Sequence, residues 1–457
     1  GATAASTLNV IVEDDGPSVS VGSTAATLTV DETAYGVDAT ASYSDAFTHA
    51  FGADTAAVTN SLVYSLSTTV GSDSGLVDTV TGENIYLFQD VNGDIIGLVG
   101  AAGVADPAGA EAFRVSVDAT NADVTLNQSR AIVHADTADH NDASALISSA
   151  ITLTATATDK DGDTASADLD IEGTLSFLDD GPSVSVGSTA ATLTVDETAY
   201  GVDATASYSD AFTHAFGADT AAVTNSLVYS LSTTVGSDSG LVDTVTGENI
   251  YLFQDVNGDI IGLVGAAGVA DPAGAEAFRV SVDATNADVT LNQSRAIVHA
   301  DTADHNDASA LISSAITLTA TATDKDGDTA SADLDIEGTL SFLDDGPSVT
   351  TNAVLTVLEV DETVLTTNDS ENFASAFTVN TYGADGQALS NALVYSLGIS
   401  SVGAVSGVID VATGQAVYLY QEGADIVGRV GSAGAPDAGG AEAFRISVNA
   451  GTGEVTL

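Results

Sequence analysis

The 457-residue chain has no cysteine, no methionine and no tryptophan, and only 8 of its residues are basic. Without cysteine there is neither a disulfide nor a thiolate metal site, so any stiffness must come from non-covalent contacts. The 8 Lys and Arg face 65 Asp and Glu, a formal net charge of −57. That balance excludes nucleic acid as a partner, because phosphates would meet no neutralising surface. An aromatic fraction of 5% with no Trp counts against a carbohydrate-binding module. No apolar run is long enough to span a bilayer, so direct membrane insertion is not expected of this stretch, and no signal peptide is visible. HExxH, GxSxG, GxGxxG and Walker patterns are all missing, and the chain reads as non-enzymatic.

What is present is repetition. DDGPSVSVGSTAATLTVDET starts at Asp14 and again at Asp179, and a diverged DDGPSVTTNAVLTVLEVDET starts at Asp344. The starts are 165 residues apart, and copies 14–178 and 179–343 are identical. A unit of that length can bury its own core, unlike the 20–50-residue units of solenoids. Three domains are therefore expected, 14–178, 179–343 and a truncated 344–457, with residues 1–13 resembling the last strand of a preceding repeat. The first partners of each repeat are its neighbours in the same chain. Identical units in a row extend reach, whereas a catalyst gains little from copying its site.

High net charge usually means disorder only when hydrophobicity is low, and here 44% of residues are apolar. The pattern is β. Residues 26–30, 61–67, 84–90, 94–100, 112–119, 123–128, 150–159 and 166–177 alternate apolar and polar or are rich in Val, Thr and Ile. Asn92-Gly93 predicts a tight hairpin with a primed turn. Short helices are expected at 44–52 and 137–150. Strands at this spacing predict an all-β fold, a linear array of tandem antiparallel β-sandwich domains of immunoglobulin or cadherin type. A unit of 165 residues exceeds a minimal sandwich, and 68–111 is the expected inserted hairpin or subdomain. The junction FLDDGPSV (177–184) is short, and Pro182 restricts both itself and Gly181, so abutting domains follow rather than a flexible tether.

Carboxylates recur in three places. Asp159, Asp161 and Asp163 in DKDGD recur as Asp324, Asp326 and Asp328, alternate residues that can converge on a hard cation such as Ca²⁺ at roughly 2.3–2.6 Å. The glycine falls too early for an EF-hand, and a plain Asp-Gly turn would show the same letters. Asp136, Asp139 and Asp142 recur as Asp301, Asp304 and Asp307, either ligands or an acidic surface loop. At the junctions stand Asp14-Asp15, Asp179-Asp180 and Asp344-Asp345, followed in VDET by Asp31-Glu32, Asp196-Glu197 and Asp361-Glu362. A carboxylate pair at a joint, with a Glu from the following domain, would let a cation lock two domains; solvation of a linker is the plainer reading. The histidines His49, His134 and His140 and their copies read as surface or core residues. Arg114 and Arg130 are expected in internal ion pairs.

LTATATDKDGDTASADLDIEGTLSFLDDGPSV, AFRVSVDATNADVTL, and VDET followed by FGAD resemble the tandem repeats of bacterial repeats-in-toxin adhesins exported by type I secretion, over essentially the whole chain. The resemblance implies β-sandwich extenders, Ca²⁺ at interdomain linkers, and a stalk projecting an adhesive tip from the bacterial cell surface for attachment and biofilm formation. FLDDGP also resembles, more loosely, the DxNDNxP-like junction of cadherins, and only Asp179, Asp180 and Glu197 match that pattern in kind. The alternative is a subunit of a self-assembling extracellular filament or surface layer, in which chains also associate laterally.

Overall fold

The computed structural model describes residues 3, 5–148, 150–313, 315–354 and 356–457. Among them there is no α-helix; strands are joined by turns and short 3₁₀ segments. The first repeat contains β1 (Ser18–Val21), β2 (Leu28–Asp31), β3 (Ala39–Ser42), β4 (Phe47–Ala50), β5 (Leu62–Ser67), β6 (Ser72–Val77) and β7 (Asn84–Gln89). It continues with β8 (Ile95–Val99), β9 (Glu111–Val117), β10 (Asp123–Gln128), β11 (Ala143–Ser144), β12 (Thr152–Thr158), β13 (Thr164–Asp170) and β14 (Leu175–Leu178).

One large antiparallel sheet runs β3-β10-β9-β8-β7-β6, and the smaller ones are β13-β12-β5, β1-β4 and β11-β14-β2. Alternation explains the layers. In β12 Leu153, Ala155 and Ala157 point inward and are buried while the threonines between them stay at the surface, the period-2 signature of a half-buried strand. Between the sheets Phe113 and Phe177 meet edge to face with centroids 5.3 Å apart, beside fully buried Tyr43, Leu28 and Leu126. Gly97 is required there, because a Cβ would run into the Phe113 ring. The second repeat has the same sheets and an equivalent core. The fold is thus an all-β tandem of sandwiches.

Several local expectations are corrected. Residues 44–52 form a 3₁₀ turn at Ser44–Ala46 and then β4, because Phe47 pairs with Val21 and packs edge-on against Tyr64. Residues 137–148 and 150 form turns and β11, with Ser149 outside the described residues. Asp142 accepts the Ala135 and Asp136 N–H groups, so a side chain competes with helical bonding. Residues 68–111 are no separate insertion; β6, β7 and β8 extend the large sheet beyond β9. The Asn92-Gly93 hairpin is not a two-residue primed turn. Gly93 N–H donates to Asp90 O, Asp90 N–H donates to Asp94 O, and only Gly93 has positive φ (+92°), the type I turn plus glycine bulge of a longer loop.

Residues 1–13 form no strand where described, and Leu8, Val10, Ile11 and Val12 are exposed. The counterpart of these residues, β14, is held by β2 of its own repeat. In the third repeat the six-stranded sheet and the pair equivalent to β1-β4 form. Residues 391–398, the counterpart of β5, form no strand, and Tyr395 N–H donates to Ala450 O.

Candidate metal centre at the repeat junctions

β14 runs parallel to β2, with Leu175 opposite Leu28 and Leu178 opposite Asp31. The end of β2 therefore arrives where the repeat ends, and Glu32 stands beside Asp179, the first residue after β14. This corrects the expected pairing. Each VDET glutamate serves the junction that closes its own repeat: Glu32 meets Asp179, and Glu197 meets Asp344. Glu32 is 2% exposed, and its Oε1 accepts from Gln128 Nε2 (2.8 Å) and Ile132 N–H (2.9 Å). Its neighbour Asp31 is spent on a turn, accepting from Thr33 N–H and Oγ1 at 2.9 and 2.6 Å. Asp196 does the same for Thr198, and Asp361 accepts Thr363 N–H.

The two junction aspartates divide the work. Asp180 Oδ2 accepts Ala218 N–H at 2.9 Å, and the equivalent bonds run from Ala53 to Asp15 and from Ala384 to Asp345. This brace sets the GAD turn of the next repeat, placing Asp219 at the joint. Asp179 itself is 1% exposed and faces the opposite repeat. The DKDGD loop of the second repeat closes with Asp324 N–H donating to Asp328 O, while Asp324 Oδ1 accepts the Gly327 and Asp328 N–H groups at 3.1 and 2.7 Å. Across the joint, Asp326 Oδ2 accepts His134 N–H at 3.1 Å, and Lys325 Nζ donates to Val80 O.

These loops leave carboxylate oxygens that find no donor: Asp179 Oδ2, both oxygens of Asp219, Asp324 Oδ2, Asp326 Oδ1 and Asp328 Oδ2. One ligand atom each of Asp179, Asp219 and Asp326 lie within 4.8 Å of one another. Oxygens bound to one calcium at about 2.3–2.6 Å can stand up to about 5 Å apart, so the spacing fits. Burial, then the charges of Glu32, Asp326 and Asp179, pushes Asp219 up to about 8. Burial, then Asp326, pushes Asp324 up to about 8, and burial followed by Asp179 pushes Asp328 up to about 6. Buried like charges disfavour ionisation; such a cluster requires protons or a cation.

The identical repeats act as controls for one another. In the first repeat Asp14, Asp161 and Asp163 are exposed, whereas Asp179 and Asp328, the counterparts of Asp14 and Asp163, are each 1% exposed. The carboxylates nevertheless gather there too, as Asp14, Asp161, Asp163 and as Asp54, Asp159, Asp161. At the third repeat, Glu197, His299 and Asp344 form the upstream half of a joint.

The remaining expected ligands lie elsewhere. Asp142 caps its own loop and Asp307 does likewise. Asp136, Asp139, Asp301 and Asp304 are exposed, and Glu362 is exposed as well. The 135–142 loop supports the joint differently: Asp142 O accepts Asp179 N–H at 3.0 Å, and the His140 ring occupies the place a Cβ on Gly181 would need. Sequence reasoning missed Asp54, Asp219 and Asp385, although the Gly-Ala-Asp triplet survives in the diverged third copy. It read His134 and its copy His299 as surface or core residues and not as ligands. Arg114 pairs with Asp90, Asp94 and Glu111, and Arg130 with Asp78, as internal ion pairs.

A family model described as "Domain of unknown function (DUF5801)" matches three times, over residues 27–172, 192–337 and 357–457. No curated protein matches the chain. Among solved structures it is similar to protocadherin gamma B2 extracellular cadherin domains 3–6, at 12% identity and TM-score 0.21, covering 82% of this chain and 75% of that one. A protocadherin gamma B7 EC3–6 cis-dimer structure is similar at 14% identity and TM-score 0.18, with coverages of 81% and 74%.

Proposed function

Because the chain belongs to the DUF5801 domain family, whose model recurs once in each repeat, we propose that it is a non-enzymatic, calcium-stiffened spacer of an extracellular bacterial adhesin. The observation that carries this reading is the buried, unpartnered carboxylate set that the linker residue Asp179 and the downstream repeat gather at the face of the upstream repeat. Asp179, Asp219, Asp324, Asp326 and Asp328 would hold calcium, against the preceding repeat whose His134 N–H donates to Asp326. Calcium would supply the positive charge that lets these carboxylates ionise together, and it would tie the linker to the downstream loops that pack on the preceding repeat. Rotation about the DDGP linker would then break ligand bonds. A stalk built this way holds a terminal binding domain away from the cell surface.

The test is small-angle scattering with parallel thermal melts, in calcium and in chelator. Calcium is expected to raise the melting temperature and narrow the distribution of end-to-end distances. A ligand binding only the folded state at one hundred times Kd stabilises it by about 2.7 kcal/mol. Identical melting curves and identical scattering in both conditions would refute the reading.

A further inference from the structure

Each complete junction contains a nitrogen donor that an all-oxygen calcium site does not explain. His134 is 4% exposed, its side chain 1%, and its Nε2 makes no hydrogen bond and lies 3.5 Å from Glu32 Oε1. Ligand atoms of Glu32, His134 and Asp179 all fall within 4.8 Å of one another. The same trio recurs at the next joint as Glu197, His299 and Asp344, where half-buried His299 instead makes a long 3.4 Å hydrogen bond from Nε2 to Glu197 Oε1.

We propose that Glu32, His134 and Asp179, and likewise Glu197, His299 and Asp344, form a second kind of junction site that binds a borderline divalent transition metal such as Zn²⁺.

Three features converge on this. Nε2 can offer at most one proton, which cannot satisfy two carboxylates; Asp179 Oδ2 is left without a donor, as are Glu197 Oε2 and Asp344 Oδ1 at the second joint. A divalent cation satisfies all three groups at once. The donor set of one imidazole and two carboxylates suits zinc and its neighbours, whereas calcium takes oxygen ligands. The separation of imidazole Nε2 and glutamate Oε1, 3.5 and 3.4 Å at the two joints, fits as well, because tetrahedral ligands at roughly 2.0–2.1 Å from zinc are about 3.3–3.4 Å apart.

The site is also held ready. Ser144 Oγ lies 3.3 Å from His134 Nδ1, and Ser309 Oγ lies 3.2 Å from His299 Nδ1, orienting each ring. Glu32 Oε1 is fixed by Gln128 and Ile132, and Glu197 Oε1 by Gln293 and Ile297. Three protein ligands leave a fourth position open. Since both Glu and His come from the repeat upstream of the joint, and Asp from the linker, the metal would pin the linker to the repeat it leaves.

This site shares Asp179 with the proposed calcium centre, a carboxylate whose two oxygens can bridge two cations, but it does not depend on calcium binding there. Zinc is titrated by calorimetry into the full chain in saturating calcium, and calcium is titrated alone in a separate arm. The expected result is one zinc for each of the two histidine-bearing joints, lost in the double variant H134Q/H299Q while calcium binding is retained. Unchanged zinc binding by the variant would place the ions on carboxylates or on the other four histidines and overturn the proposal, as would no zinc uptake by the wild type. Because Gln at so buried a place can disturb packing, the wild type is also loaded with Co²⁺. Paramagnetic shifts of the His134 and His299 ring protons are expected, and their absence overturns the proposal. Zinc uptake without a calcium response would refute the calcium spacer while leaving this site standing.

Discussion

Asp54 and Asp219 are the same residue of identical repeats, yet Asp219 is 0% exposed against the preceding repeat while Asp54 stays half-buried. Burial raises the Asp219 carboxyl from 3.8 to about 8, and the sign of the consequence follows. Between those values the folded chain binds a proton that the unfolded chain has released, so stability falls as pH rises. The contribution is whole below about 4 and gone above about 8. In chelator, the melting temperature is therefore expected to fall as pH is raised from 5 to 8; a flat or rising profile would contradict this. Calcium, by ligating the ionised form, should flatten the same profile. Substituting D219N removes one charge and is expected to raise the melting temperature in chelator but to reduce the increment that calcium adds. A variant that melts lower in both conditions would show that the carboxylate is structural only.

Among the elements, the parallel pair β2–β14 has the largest consequence. Antiparallel neighbours dominate the rest of the repeat, and hairpins explain most of them by local sequence. The parallel ladder joins residues 28–31 to 175–178, across almost the whole domain, and it alone carries Glu32 to the joint. In the large sheet, β8 crosses β9 where Gly97 lies under the Phe113 ring. G97A is expected to cost about 1–3 kcal/mol through overpacking, read as a lower denaturant midpoint with unchanged m-value. A neutral result would mean the ring has room to move. F177A, which removes the other half of the Phe113 contact, is expected to cost about 3–5 kcal/mol.

At the scale of the whole molecule, a net charge of −57 makes successive repeats repel one another. Screening acts over about 30 Å at 0.01 M salt and about 3 Å at 1 M. In chelator, the radius of gyration is expected to shrink as salt rises across that range, because the joints lack a cation and charge repulsion sets the spacing. With calcium bound, scattering should change little with salt. Equal salt dependence in both conditions would mean that the joints are not cation-locked.

The 165-residue period, the all-β class, the acidic joints and the DKDGD loops follow from the sequence alone, because repetition, period-2 alternation and residue spacing are local signals. The strands at 84–90, 123–128 and 150–159 emerge close to where alternation places them. Local signals also misled: the Phe47 segment looked helical until β1 claimed it, and Asn92-Gly93 closed a longer loop than its letters promise. Only the tertiary structure decided which carboxylates meet. Glu32 reaches Asp179 because of a strand pairing spanning almost the whole repeat, Asp219 because Asp180 braces its turn, and His134 because Ser144 turns its ring inward. No periodicity in the chain encodes such meetings; they exist only once packing has closed the distance between residues far apart in sequence.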